Sequence, residues 1–230
     1  MLLQACITSI GLGNRLRKSL SNALLSHQKD GVPGRSIFDS LCLFGGVIDD
    51  ACRKSKWPRG KRYLVNAAII AYDLEKAYDL VNRDTLWETM EAVGYPSQFI
   101  DRLKPIFSIT QLCPLNGSSI VGTIDEAQSV RQGCPLSIHL FAIYIEPLLV
   151  RLSNTIAGYN LHGERIRVRA YVDDLVVFVS SHTDILRASK TIEEFCAWTK
   201  ARVNRGKTKL LGLGSWALKP LTSAASPTAN

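Results

Sequence analysis

The sequence predicts an α+β domain, an antiparallel sheet with helices packed against it. Two apolar runs rich in β-branched and aromatic residues, Tyr63 to Asp73 and Ala170 to Val179, read as buried strands. Apolar residues elsewhere recur at helical spacing. Short hairpin signals lie between, so the order of strands and helices suits a mixed sandwich with a single core.

In chain order, Leu12, Leu16, Leu20 and Leu24 repeat every four residues with Arg15, Arg17 and Lys18 between them. That spacing predicts an amphipathic helix, capped by Asn14, with a basic outer face. Asp30-Gly-Val-Pro-Gly makes a turn. Ser36 is placed to cap a second helix through about Lys56, with Ile37, Leu41, Phe44, Ile48 and Cys52 inward. The loop from Lys56 to Arg62 is basic around Trp57 and suits either phosphate and base contacts or plain solvation. After the Tyr63–Asp73 strand, Asp84 is the expected N-cap of a helix that Gly94 ends, with Leu86, Met90 and Val93 buried. Pro96 opens another helix with Ile100, Leu103 and Phe107 on one face, which Pro105 should weaken. Asn116-Gly117 signals a hairpin. A helix runs from near Pro135 to about Asn154, with a kink expected at Pro147. Residues 158–169 read as a hairpin leading into the Asp-Asp strand. Asp184 is the expected cap of a helix to about Arg202, with Ile192, Phe195 and Cys196 inward. Leu210 to Leu213 is strand-like, and the Ser/Ala/Pro/Thr-rich end of the chain reads as disordered.

A hydrophobic content of 46% with 21% charged residues is that of a globular protein. The net charge of +8 is uneven: residues 1–70 hold 11 Lys/Arg against 4 Asp/Glu. A basic first third beside a balanced remainder suits a polyanionic partner, and a solvated basic surface remains the plain alternative. The six cysteines form no CxxC pair and no zinc-spaced cluster, as expected of reduced thiols in an intracellular protein. No apolar run has the length of a membrane span. The opening decapeptide lacks a basic residue before its apolar stretch, so no secretory signal is expected.

The chemistry centres on carboxylates. Asp173 and Asp174 sit side by side between apolar strands, where paired charge is costly unless a cation neutralises it. Asp73 ends a second core strand. The alternative is ordinary turn and strand-end aspartates. Asp73-Leu-Glu-Lys-Ala-Tyr-Asp-Leu-Val-Asn, then Arg131-Gln-Gly-Cys-Pro-Leu-Ser, then Tyr171-Val-Asp-Asp resemble, in order and spacing, motifs A, B and C of reverse transcriptases of the non-LTR (LINE-type) retrotransposons. Asn204-Arg-Gly-Lys-Thr-Lys is similar to motif D.

The resemblance implies a palm over residues 63–214, a partial, helical and basic fingers region over 1–62, and a disordered tail over 215–230. It implies an RNA-directed DNA polymerase that extends a DNA primer on an RNA template with dNTPs, using two Mg²⁺ ions or Mn²⁺ in their stead. Asp73, Asp173 and Asp174 would hold the metals, with the Leu74 backbone carbonyl beside them. Tyr78 matches the aromatic gate against ribose, and Gln132 and Gly133 match the nucleotide-contacting pair. Lys207 matches the proton donor to pyrophosphate, with a surface lysine as the other reading. Arg35 and Arg131 suit phosphate contacts or surface ion pairs. Ile138 stands where motif B usually has a second proline. Gln28 to Asp39, with Pro33-Gly-Arg-Ser, also resembles the family's fingers region, which follows a Lys/Arg stretch that holds the triphosphate; this chain is expected to begin just after that stretch. No thumb, endonuclease or RNase H segment is legible. A second reading is therefore a catalytically inactive remnant that only binds nucleic acid. The expected setting is intracellular, in cytoplasm or nucleus, with no membrane contact.

Overall fold

A computed structural model describes residues 2–55, 66–108, 111–112, 115–116, 119–122, 124–125, 129–131 and 133–217. The basic loop 56–62, Gln132 and the end of the chain from residue 218 lie outside the described residues. Helix α1 spans Leu2–Ala23, so Asn14 lies within it and does not cap it. Leu12, Leu16, Leu20 and Leu24 are all buried, while Arg15, Arg17 and Lys18 face solvent.

Helix α2, Ile37–Ser55, is rolled from the expected face. Val47, Asp50 and Ala51 are buried, with Phe44 and Ile48 packed alongside. Ile37, Leu41 and Cys52 are exposed. The physical reason is a polar anchor that hydrophobic periodicity does not register: Tyr159 Oη donates to Asp50 Oδ2 at 2.7 Å.

Strand β1 is Asn66–Asp73, followed by α3, Arg83–Val93, and α4, Ser97–Ser108. Asn82 caps α3, its Oδ1 accepting from the N–H groups of Asp84 and Thr85, so the cap falls two residues before the expected Asp84. Gly94 closes that helix in the left-handed region at φ 101°, where a Cβ would be strained. Pro105 lies inside α4, which continues to Ser108. Four two-residue strands follow: β2 (Gln111–Leu112), β3 (Leu115–Asn116), β4 (Ser119–Ile120) and β5 (Ile124–Asp125). They nest as β3–β4 inside β2–β5, with Asn116 opposite Ser119 across the expected hairpin.

Helix α5, Ser137–Thr155, is buried along nearly its whole circumference, with Pro147 inside it. Then come β6 (Tyr159–Leu161), β7 (Glu164–Ile166), β8 (Val168–Tyr171), β9 (Asp174–Val179), α6 (His182–Thr199) and β10 (Lys209–Gly214). Ser181 caps α6 through Oγ. Asp184 does not act as the cap: its carboxylate accepts from the N–H groups of Ala157 and Gly158, pinning the entry to β6.

The sheet order is β10-β1-β9-β8, antiparallel throughout. Alternation sends Ala68, Ile70, Tyr72, Leu175 and Val177 to one face, into a core shared with α3, α4, α5 and α6. Ala67, Ile69, Phe178 and Leu213 face the other way, onto Val47 and Ala51 of α2. Helix α2 covers only part of that second face; towards Asp73 it is open, with Ala71 and Asp174 exposed. Mixed helix and antiparallel sheet is thus the observed architecture. Among the described residues, no helix is long and apolar enough to cross a membrane.

Candidate active site

The open end of the sheet gathers the three aspartates. Strands β1 and β9 pair in a register that sets Asp73 directly opposite Asp174. Directly opposite residues project from the same face of a sheet. Tyr171 pairs with Asp174 across the other edge of β9, leaving Val172 and Asp173 as a two-residue turn. Val172 sits at φ 53°. A β-branched residue there is strained, by an amount on the order of 1–3 kcal/mol, and such strain is tolerated where the surrounding structure enforces it. The turn puts Asp173 at the tip and Asp174 at the first paired position of β9.

Electrostatics show that the three carboxylates share one field. The Asp174 side chain is exposed at the sheet's open end, but its neighbours partly desolvate the carboxyl; that desolvation, then the charges of Asp173 and Asp73, raise it above its ordinary value. That is the signature of an acidic cluster that a hard cation would relieve. Among the described residues, no three Asp, Glu, His or Cys side chains close into a ready-made cation cage. Magnesium is commonly held by one or two carboxylates together with waters and substrate phosphates, so this donor set fits it without such a cage.

Behind the aspartates, β1 is held by the chain leaving α6. Asn204 N–H donates to the Asp73 carbonyl and Glu75 N–H to the Arg202 carbonyl, both at 2.8 Å. Leu74 is buried and bridges Val203. In front, the segment 27–29 lies along β8: Ala170 N–H donates to the His27 carbonyl and Lys29 N–H to the Ala170 carbonyl, both at 3.0 Å.

Tyr78 lies one turn beyond Asp73, its ring stacked on Phe141 with centroids 5.0 Å apart. Burial, then the charges of Asp30 and Asp173, push its hydroxyl up to about 12, which ties it to the aspartate cluster. With Gly133, Cys134, Pro135, Ser137 and Ile138 it lines a cleft of about 550 Å³. Gly133 is at φ 81° with nothing within 4 Å of a Cβ position. Conformation rather than space therefore requires glycine there. A second cleft of about 520 Å³ adjoins it, sharing Pro135 and Ile138 and adding Arg17, Lys29, Asp30 and Tyr171.

The remaining expected site residues make contacts of other kinds. Arg35 also borders the second cleft, but its guanidinium donates to four backbone carbonyls, that of Ser21 in the last turn of α1 and those of Leu24, Leu25 and Gln28 just beyond it. Arg131 Nη2 reaches the Ile106 carbonyl at 3.3 Å. Lys207 is exposed on the loop before β10. Sequence reasoning missed Phe141, Asp30 and Asn204. Asn204 alone left a signal, an Asn two residues before a Gly, which favours a side-chain-to-backbone turn.

Known proteins resemble this chain in sequence and in fold. Residues 14–219 match the family "Reverse transcriptase (RNA-dependent DNA polymerase)". The chain is 30% identical over 211 residues, 91% of its length, to the Transposon TX1 uncharacterized 149 kDa protein of Xenopus laevis. It is 27% identical over 174 residues, 73% of its length, to the retrovirus-related Pol polyprotein from type-2 retrotransposable element R2DM of Drosophila melanogaster. It spans only 15% of each of those proteins. Among solved structures it is similar to apo telomerase from Candida tropicalis truncated from the C-terminal domain, with TM-score 0.60 and 16% identity, covering 92% of this chain and 40% of that one. A similar match is telomerase from the same organism with a fragment of telomeric RNA, with TM-score 0.60 and 14% identity, covering 92% and 34%. At such identities the likeness is one of fold. With a family match spanning nearly the whole described chain and three acidic residues gathered at one sheet end, this chain belongs to the reverse transcriptase (RNA-dependent DNA polymerase) family.

Proposed function

We propose that the chain is the RNA-directed DNA polymerase unit of a retrotransposon protein, extending a DNA primer on an RNA template with dNTPs. The observation that carries this reading is the register that sets Asp73 opposite Asp174 beside the strained turn at Asp173. Residues 63–214 would form the palm, residues 1–62 a partial fingers region, and 215–230 a tail. The start of that tail is not disordered as expected, because Trp216 is buried in the core against His182. Asp73, Asp173 and Asp174 would hold two Mg²⁺ ions, or Mn²⁺, with the Leu74 carbonyl as a further oxygen donor. When bound, such ions activate the primer 3′-hydroxyl and offset charge on the leaving pyrophosphate.

The chain's own residues do the rest. The Tyr78 ring, braced by Phe141, would occupy the space of a ribose 2′-hydroxyl and so favour dNTPs. Gly133 allows close backbone approach to the nucleotide, with the Gln132 side chain as its polar contact. Lys207 would donate a proton to pyrophosphate as it leaves. The exposed Arg15, Arg17 and Lys18 suit the phosphates of template and primer. Work on such substrates belongs inside the cell, in cytoplasm or nucleus.

The test is primer extension by the 230-residue chain on an RNA template with dNTPs and Mg²⁺. Extension by the wild type and its loss in Asp174→Asn support the reading. Nucleic-acid binding with no extension by the wild type, in Mg²⁺ or Mn²⁺, would make the chain an inactive remnant.

A further inference from the structure

The loop that carries Lys207 is attached to β1 at the residue where the acidic cluster begins. Lys200, left-handed at φ 63°, stops α6. The chain then lies against residues 73–75, through the Arg202 carbonyl, the Leu74–Val203 bridge and the Asn204 N–H. Asn204 next reverses the chain. Its Oδ1 accepts from the N–H groups of Gly206 and Lys207, both at 3.1 Å. Its carbonyl accepts from Lys207 N–H at 3.2 Å and Thr208 N–H at 2.9 Å. Thr208 Oγ1 donates to that carbonyl as well, at 2.9 Å.

The Lys207 backbone N–H is therefore shared by both oxygens of Asn204, whose own N–H is held by Asp73. Arg205, Gly206 and Lys207 are all exposed. A segment with so little apolar contact is otherwise free to open locally. Asn and Asp form a turn of this kind through the side-chain oxygen, and Ala does not.

We propose that Asn204 is a positioning residue: it fixes Lys207 relative to Asp73 by binding the 204–208 loop to the end of β1. The inference rests on the roles given above to Asp73 and Lys207. Asn204 itself touches no reacting atom and acts through Lys207. Placement matters because a displacement of about 1 Å in a catalytic group lowers a rate by about 10²-fold.

Two measurements on the 230-residue chain test this. In primer extension, Asn204→Ala keeps the backbone hydrogen bond to Asp73 and removes only Oδ1. It should lower kcat about 10- to 100-fold and change KM for dNTP by less than about threefold. Asn204→Asp retains an acceptor at the same reach and should restore kcat to within about threefold of the wild type. In a Lys207→Ala background, Asn204→Ala should add no further loss. In amide hydrogen exchange, Asn204→Ala should speed exchange at Gly206 and Lys207 while the amides of β1 and β9 keep their protection. An equal loss with and without Lys207 would overturn the proposal, as would unchanged exchange at Gly206 and Lys207. Exchange needs no turnover, so absence of extension by the wild type would count against the polymerase reading and leave exchange to decide the role of Asn204.

Discussion

Arg35→Ala should destabilise the fold, because Arg35 caps the C-terminal end of α1 and ties it to the segment that follows, out to Gln28. The last carbonyls of a helix have no intrahelical partner and carry the negative end of its dipole. Arg35 Nη1 donates to the carbonyls of Gln28 at 2.9 Å and Leu25 at 2.5 Å; Nη2 donates to those of Leu24 at 2.8 Å and Ser21 at 3.3 Å. The bonds to Gln28 and Leu24 are partly buried and carry most of the effect, whereas water can replace the two exposed ones. Two partly buried, charge-assisted bonds at about 1–1.5 kcal/mol each, with about 0.5 kcal/mol from the helix dipole, give a loss of about 2–4 kcal/mol. In a chain of this size that lowers Tm by about 4–16 °C. Arg35→Lys should recover less than half, since one ammonium cannot fork across four carbonyls. Thermal melts followed by circular dichroism, with dNTP binding measured beside them, decide the matter. A variant that melts within about a degree of the wild type but loses triphosphate affinity would refute the capping argument and return Arg35 to a phosphate-binding role.

Three further outcomes follow from the same geometry. Tyr78→Val should admit ribonucleotides: relief of overpacking worth about 1–3 kcal/mol changes the ratio of kcat/KM for the two sugars by about 5- to 150-fold, and an unmoved ratio would leave Tyr78 a packing residue only. Glu146 lies buried under the same α1 terminus, accepting Leu25 N–H at 2.6 Å, and burial holds its carboxyl up to about 7, opposed by that hydrogen bond and by Arg35. A carboxyl raised on folding stabilises the fold in acid, and that contribution is lost as pH rises through the folded value. Between about pH 4.5 and 7 the wild type should therefore lose stability relative to Glu146→Gln; parallel Tm–pH curves for the two would show that Glu146 is not the titrating group. Neutralising Arg15, Arg17 and Lys18 together should make the salt dependence of RNA–DNA hybrid binding shallower by about 2–3 in the log–log slope, and an unchanged slope would remove these residues from the footprint.

What was legible in the sequence was what local pattern encodes. The leucine repeat of α1 gave its buried stripe, because a four-residue spacing has only one helical face to occupy. The apolar runs around Asp73 and Asp174 gave the two central strands. Their pairing register was not legible, since it depends on contacts about a hundred residues apart. The face of α2 was misread because buried Asp50 answers to Tyr159, a partner no periodicity reveals. Caps were misplaced by two or three residues where several polar residues compete, as Asn82 does with Asp84 and Ser181 with Asp184. Among the site residues, Arg35 carried the right charge for phosphate but is engaged by backbone carbonyls, which only the loop's path could disclose. Asn204 stood in the sequence only as the first residue of the motif D stretch, because its hydrogen bonds to Gly206 and Lys207 and to Asp73 depend on a fold that local pattern does not encode.

On the polymerase reading, Asp73, Asp173 and Asp174 act as one cation-binding unit. Titration of the 230-residue chain with Mn²⁺ at neutral pH, with free ion followed by electron paramagnetic resonance, tests it most directly. Binding to the wild type should be saturable, and weakened at least about tenfold, or about 1.4 kcal/mol, by Asp73→Asn and by Asp174→Asn singly. Binding by the Asp73→Asn/Asp174→Asn double variant indistinguishable from the wild type would contradict it and leave the three aspartates as turn and strand-end residues.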